Sequence, residues 1–327
     1  MFICKYLFLI CFLLIPTLSQ TASTGSGQAY PTKPIRLIVP VPPGGGADFV
    51  ARAYASRLGD ALGQQVVVDN RGGAAGIIAM EATAKAAPDG YTLIQTNIST
   101  ISINPYMYAK LPYDAEKSFA PVSITTLNPL VLVIHPSVAA RTVPDLVNIA
   151  KAKPGTVTYA SLGSGSIQHL AGFMFGKAAG VNLIHVPYKG AAPATVDLLA
   201  GQVNAAFSGV GTVIAHVRAN KLRGLATTGA KRIESYPDLP TMAESGGPDI
   251  QVLLWNGILA PAGTPAPIVR RLSDEINRIV KTSDLAQVLG TQGTTPLSNT
   301  PEEFSRFIKS EQAKFSRLVK ETGIKLD

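Results

Sequence analysis

Cysteine is almost missing from this chain: Cys4 and Cys11 are its only two in 327 residues, and both fall in the first fifteen. Once that segment is removed no thiol remains, which excludes disulfides, thiolate zinc sites and thiol catalysis. Histidine is scarce as well. His135, His169, His185 and His216 stand at no i,i+4 or other metal spacing, so neither a metal nor a cofactor is expected. Long hydrophobic runs are lacking: the longest, Tyr6 to Ile15, is about half of the ~20 residues a spanning helix needs. Runs of charge are lacking too. Basic residues occur singly or in pairs such as Lys231-Arg232 and Arg270-Arg271, without interleaved aromatics, and no nucleic-acid partner is expected. A Walker A lysine, a Gly-x-Gly-x-x-Gly fingerprint and a Gly-x-Ser-x-Gly elbow are all absent. Gly44-Gly45-Gly46 lacks the third spaced glycine, and Gly163-Ser164-Gly165-Ser166 is out of position for a nucleophile. No catalytic residue is therefore assigned, and the chain is expected not to be an enzyme.

What is present begins with an address. Lys5, the apolar run and the small polar stretch from Ser19 to Ala29 read as a cleaved secretory signal peptide over residues 1–29, with cleavage placed after Ala29 and sites nearer Ser19 as the alternative. Leu9 and Ile10 are too bulky for a lipid-attachment pattern before Cys11. Cleavage after Ala29 removes one basic residue and takes the net charge from +8 to 28 − 21 = +7, a surplus that favours approach of small anions. The remainder, 46% hydrophobic and 15% charged over the full chain, suits about two domains.

The pattern then repeats strand, Gly-rich turn and helix. A strand at Ile35 to Val39 enters Pro42-Pro43-Gly44-Gly45-Gly46 and a helix with Val50, Tyr54 and Leu58 on one face. Strands at 65–69 and 91–96 follow, the first entering a second Gly-rich turn, 70–76. After an aperiodic stretch, 97–121, alternation restarts at Leu130 to Ile134, and a helix is expected over 143–152. A strand at 156–161, the turn Leu162 to Ser166 and a helix over 167–179 restate the opening arrangement. Strands at 182–186, 202–207, 222–227 and 252–259 and helices at 192–200, 265–281 and 301–322 complete the reading. Short connections of this kind signal a parallel α/β sheet, whose ligands bind beyond the carboxyl ends of its strands. The chain is expected to leave a first lobe near Leu127 to Leu132 and re-enter it near Gln251 to Asn256, two segments that would form a hinge.

Each candidate has two readings. Gly44 to Gly46 either form a tight connector or, with backbone N–H groups and a helix dipole gathered there, an anion cradle. Ser164, Gly165 and Ser166 either offer hydrogen bonds to a carboxylate or, for Ser166, cap the helix. His169 either donates to an anion or packs. Asp48 is expected to cap or to pair with Arg52, because a free carboxylate would oppose an anion in the turn.

Pro43-Gly44-Gly45-Gly46-x-Asp48 with Ala51-Arg52, Val68-x-Asn70-Arg71, Ala87-Pro88-Asp89-Gly90-Tyr91, Leu111-Pro112-Tyr113-Asp114, His185-Val186-Pro187-Tyr188-Lys189-Gly190 and Ala260-Pro261-Ala262-Gly263-Thr264-Pro265 together resemble the periplasmic receptors of tripartite tricarboxylate transporters, the Bug family. The match runs through the whole mature chain in order. The resemblance implies an α/β, two-lobed periplasmic-binding-protein-like fold, each lobe a mainly parallel sheet flanked by helices. Lobe 1 would comprise residues 30–130 plus 252–327 and lobe 2 residues 131–251. It implies a monomeric periplasmic receptor that closes on a small carboxylated solute and delivers it to a membrane permease. The rival readings are a sensory module and a periplasmic enzyme. Carried over by position, the resemblance points to Gly44, Gly45, Gly46, Ser99 and Thr100 in one lobe and to Ser164, Gly165 and His169 in the other. Ser208 stands where many members carry an acid, which points away from an amino-acid ligand. Ala75 replaces a frequent glycine and is expected to narrow the mouth of the cleft.

Overall fold

The computed structural model describes residues 30–323 together with 325 and 326; the leader and its cleavage point lie outside the described residues. The first strand, β1 (Ile35–Val39), sends Ile35, Leu37 and Val39 into one core and Ile38 into another. Both of its faces are covered, and apart from Arg36, which pairs with Asp69, its sequence is accordingly apolar. α1 (Gly46–Leu62) buries Val50, Tyr54 and Leu58, the positions its period demands, and ends at the left-handed Gly63. β2 (Val66–Asn70), α2 (Ile77–Ala84) and β3 (Thr92–Asn97) follow, and β1 pairs in parallel with both β2 and β3. A π-helical turn, Ser99–Ile103, then leads into α3 (Asn104–Met107).

β4 (Phe119–Ile134) is the long strand of the molecule, and beyond it the pattern recurs. α4 (Val143–Ala152) opens on a capping box from Thr142 and Asp145. β5 (Thr158–Ser161), α5 (Ile167–Ala179), β6 (Ile184–Pro187), α6 (Ala191–Leu199), β7 (Ala205–Gly209), α7 (Val210–Arg218) and β8 (Arg223–Thr227) succeed it. β5 pairs in parallel with β6 and β7. The chain returns through β9 (Leu253–Pro261) and finishes with α8 (Ala266–Val280), α9 (Ser283–Gly290), β10 (Thr295–Pro296) and α10 (Pro301–Thr322).

The strands form a mixed sheet in the order β2-β1-β3-β9-β4-β7-β5-β6, with β8 and β10 also paired to β4. Parallel pairing holds in the outer strands, as the short connections require. Among the named strands every antiparallel pairing involves β4 or β9, the two that travel between the parallel sets. β4 pairs with β9 from Phe119 to Pro129 and with β7 from Leu130 onward.

That register fixes where a cleft lies. Asn97, the last residue of β3, is level with Asn256, which is level with Thr126. Gly209, the last residue of β7, is level with Leu130. β3 runs along β4 in the same direction and β7 runs against it, so the two sets point their carboxyl ends at one another. About four residues of β4 separate them, roughly 13 Å at strand rise. Where the chain crosses back, Thr228 is stitched to both travelling segments: its Oγ1 accepts from Leu130 N–H at 2.9 Å and donates to the Val252 carbonyl at 2.5 Å.

Several elements differ from the expectation. β4 begins at Phe119, eleven residues before the alternation resumes, because bulges at Pro121/Ser123 and Ile124/Thr126 break its period. α7 and α9 were not anticipated; the first follows directly on β7 with Gly211 and five β-branched residues in it, a composition of low helix propensity. The strand expected from Gln202 begins at Ala205.

Candidate functional site

Six parallel strands deliver their following turns to the two sides of this gap, and the first of these turns is the most open. Gly44, Gly45 and Gly46 are exposed, and a methyl group added to any of them would meet no atom within 4 Å. Gly44 alone needs glycine for its backbone, with φ 89. Gly45 is the N-cap of α1 and supplies no side-chain cap, so the first-turn N–H groups face outward at the positive end of the dipole.

The turn is held by a network of family-motif residues. Asp48, 3% exposed, accepts the Gly44 N–H at 2.9 Å, Arg52 Nε at 3.0 Å and Asn70 Nδ2 at 2.8 Å. Asn70 in turn accepts from Arg52 and donates to the Val41 carbonyl, tying the end of β2 to the turn. Burial alone would raise the Asp48 carboxyl, but these hydrogen bonds and the Arg52 charge outweigh it and hold the group below the usual carboxylate range. Asp48 therefore stays ionised, with its charge balanced by Arg52 and with the Gly44 N–H already taken up by its carboxylate, which leaves Gly45 and Gly46 to present their amides outward.

Beside it, Ser99 is partly exposed while Thr100 is 1% exposed. The Thr100 hydroxyl is shared with Thr96 Oγ1 at 2.8 Å and the Asn97 carbonyl at 3.0 Å, and Tyr113 Oη donates to the Thr100 carbonyl. Thr100 thus supports the π-helical turn from inside, and Ser99 is the residue of the two that solvent reaches. Ala75 lies in an exposed 3₁₀ turn at φ 52, and its carbonyl accepts from Asn104. The alanine bears on the backbone, where a left-handed conformation costs about 1 kcal/mol for a residue with a Cβ.

On the opposite side, Ser166 caps α5 by accepting the His169 N–H at 3.3 Å. Ser164 is exposed, but Gly165 is buried and its N–H is already committed to His169 Nδ1 at 3.1 Å. A methyl on Gly165 would come within 2.6 Å of Met107 Sδ and 3.2 Å of Leu326 Cδ1, so the two sides of the gap touch here. Lys177 and Glu321, 2.8 Å apart, add a second bridge between α5 and α10. His169 lies flat on His185, with ring centroids 3.6 Å apart, and His185 Nε2 meets Ser161 Oγ at 2.6 Å. Burial, followed by the proximity of His185, pushes His169 down to about 4, and burial lowers His185 too. Ser208, in register with Val131, is partly exposed one residue before the β7 terminus.

The sign of a pH effect follows. Between pH 6.5 and about 4 an unfolded chain protonates His169 and the folded one does not, so stability falls as pH drops through that window. We expect the melting temperature to decline from pH 7 to 4.5 and the decline to be shallower in His169→Gln, which keeps an acceptor for Gly165. Equal slopes in scanning calorimetry would refute the depressed value.

The family model described as tripartite tricarboxylate transporter family receptor matches residues 50–324. The chain belongs to this receptor family. It is 39% identical over 306 residues to BugT of Bordetella pertussis, covering 93% of this chain and 94% of that protein. Among solved structures it is similar to R. palustris Rpa4515 with adipate, at 33% identity and TM-score 0.82, covering 90% of this chain and 99% of the other. It is also similar to MatC of Rhodopseudomonas palustris with bound malate, at 28% identity and TM-score 0.77, covering 89% and 100%.

In this family receptor the expected pair of Asp48 with Arg52 is present, while the part of Asn70 in framing the turn is new: it stands in the quoted motifs, but eighteen residues separate it from Arg52. Gln95 was also missed: on β3, it donates to the Ala47 carbonyl at 2.5 Å and so fixes the start of α1. The available signal was a glutamine directly after the apolar pair Leu93-Ile94 of a buried strand.

Proposed function

We propose that this chain is an exported receptor whose two lobes, residues 30–130 plus 252–327 and residues 131–251, close on a small carboxylated solute and present it to the permease of a tripartite transporter. The observation that carries the reading is the exposed, uncapped Gly44 to Gly46 turn, kept open by the Asp48, Asn70 and Arg52 network. Outward backbone amides at a helix N-terminus suit a carboxylate, directly or through ordered water. Ser99 borders the turn, and Ser164, His169 and Ser208 lie on the far side. His169 is neutral there and acts as a polar group, never as a counter-ion. Thr100 and Gly165 contribute by holding backbone in place. The adipate and malate held by the two similar structures agree with a carboxylate as ligand. Binding and release, without chemistry, are the expected activity, in the periplasm and as a monomer.

A thermal-shift screen of the leader-free protein against four- to six-carbon dicarboxylates, monocarboxylates and amino acids tests this. A ligand at 100 times its dissociation constant stabilises by about 2.7 kcal/mol. Failure of every carboxylate to shift the melt at millimolar concentration, together with turnover of an ester or amide, would replace the receptor reading with an enzyme. Solute uptake by the reconstituted permease, with and without this protein, tests the transport partner.

A further inference from the structure

Two contacts between the lobes differ in stiffness. One is at the turn before α5, where Gly165 faces the Met107 thioether and Leu326, and where Lys177 of α5 pairs with Glu321 of α10. A methionine end adapts readily to a new shape, and the ion pair is exposed, so this contact parts at little cost.

The other contact is at the start of α7 and is rigid. A Cβ on Gly293 would lie 2.2 Å from Val210 Cγ1 and 2.6 Å from Val210 Cβ, so the Gly293 backbone rests directly on the valine. Next to it, a Cβ on Gly211 would lie 3.2 Å from the Gln292 carbonyl oxygen and 3.4 Å from Gln292 Cβ. Each lobe thus offers a glycine to the other at adjacent positions. Val210 is β-branched, 2% exposed and packed in one core with Ala206 and Val213. The turn 291–293 is held in place because the Gln292 and Thr294 N–H groups both donate to the Leu289 carbonyl.

The sheet register shows where this rigid contact sits. Gly209 of β7 is level with Leu130, Thr295 of β10 is level with Leu127, and both strands run against β4. Continued by one residue from β7 and by two from β10, the registers meet at Pro129. That is the point at which β4 exchanges β9 for β7 as its partner. Proline has no N–H to give to a ladder, so the crossing strand is less braced there than elsewhere.

When two bodies turn about an axis, the groups nearest the axis move least. We infer that the lobes turn about the Val210–Gly293 contact, and that Gly211 and Gly293 are positioning residues whose missing side chains let the lobes come close enough to enclose the solute, while the Met107–Gly165 contact opens and shuts. This rests on the two-lobed receptor reading and adds to it the place of the axis. Helix stability does not account for Gly211, which sits inside α7 where alanine is the better helix former. Gly293 has a second reason to be glycine, its φ of 61, and the test has to separate the two.

The leader-free protein has no cysteine, and the Cβ positions of residues 211 and 292, 3.4 Å apart, are close to the separation of about 3.5–4.5 Å that a disulfide bridges. Gly211→Cys combined with Gln292→Cys is oxidised with diamide and titrated calorimetrically with whichever of succinate, malate, glutarate and adipate binds the parent protein most tightly. We expect cross-linking at the same rate with and without that acid, and affinities of the oxidised and reduced forms within threefold of each other. Gly293→Asn tolerates the left-handed backbone but wedges against Val210, and is expected to lose tenfold or more in affinity with an unchanged circular dichroism spectrum. Gly63→Asn makes the same exchange at another left-handed glycine, where a Cβ meets nothing within 4 Å, and should bind like the parent. No cross-link in either state, a rate or an affinity that shifts by more than threefold on adding the acid or the oxidant, or a Gly293→Asn protein that binds like Gly63→Asn overturns the inference and leaves the receptor reading intact. No heat from any of the four acids, with the parent's melt unshifted by the wider carboxylate screen, overturns both.

Discussion

Gly45→Asp is expected to fold as well as the parent protein and to bind no carboxylate. Gly45 sits at the N-cap of α1 with φ −85 and ψ 168, a conformation aspartate adopts freely, and a Cβ there meets nothing within 4 Å. Aspartate is among the preferred N-cap residues, so the exchange should stabilise the helix by a few tenths of a kcal/mol or leave it unchanged. The same carboxylate would accept the first-turn N–H groups that the solute needs and would repel the solute's own charge. Loss of at least a hundredfold in affinity, about 2.7 kcal/mol, is the expected reading by titration. Calorimetry of the variant without ligand separates the two effects. Affinity within threefold of the parent, in a protein that melts normally, would remove the Gly44 to Gly46 turn from the site.

The largest loss of stability is expected from Trp255→Ala. Trp255 lies on β9, 1% exposed, with its ring edge-on to Phe304 and Phe307 of α10 at centroid distances of 5.8 and 5.4 Å. Its Nε1 donates to Glu311 Oε2 at 3.2 Å. Truncation removes an indole from a fully packed junction between a travelling strand and the terminal helix, leaves a cavity and takes away one of Glu311's two partners, Lys314 being the other. Such changes cost about 3–5 kcal/mol, a drop in melting temperature on the order of 10 °C for a chain of this size. Trp255 is the single tryptophan of the chain, so circular dichroism is the probe that follows both proteins. A drop below about 2 °C would show that α10 is not anchored through this ring.

The outer parallel strands and the helices on them were legible in the sequence because each obeys a local rule. α5 and α10 have serine or threonine caps, glycine after their last turn and an apolar stripe between. The central strands were less legible, since their form is set by partners far away. The first two-thirds of β4 carries Pro121, Pro129 and three hydroxyl residues, a composition that reads as loop until β9 and β10 are laid against it. The site divides in the same way. Gly44 to Gly46 are visible as a glycine-rich junction and Asp48 with Arg52 as an i,i+4 pair, whereas the contacts of Asn70 with both depend on β2 lying beside β1. Thr100 and Gly165 stand at site positions of the motifs, yet their donors are bonded within the protein. Position in a motif marks a residue as belonging to the site; only the hydrogen-bond partners tell whether it holds the ligand or the wall.

The path of β4 and β9 also sets an order of assembly. Asn97 on β3 waits for Asn256, and Tyr54 on α1 packs in the same core as Leu272 and Ile276 of α8. The parallel strands β5, β6 and β7, by contrast, find their neighbours within a contiguous stretch. Contacts of long sequence separation form late, because closing the intervening chain has to precede them. During synthesis from the N-terminus, β3 and the early part of β4 therefore remain as open edges until Leu253 to Pro261 emerges. The half that contains the beginning of the chain is the last to be completed.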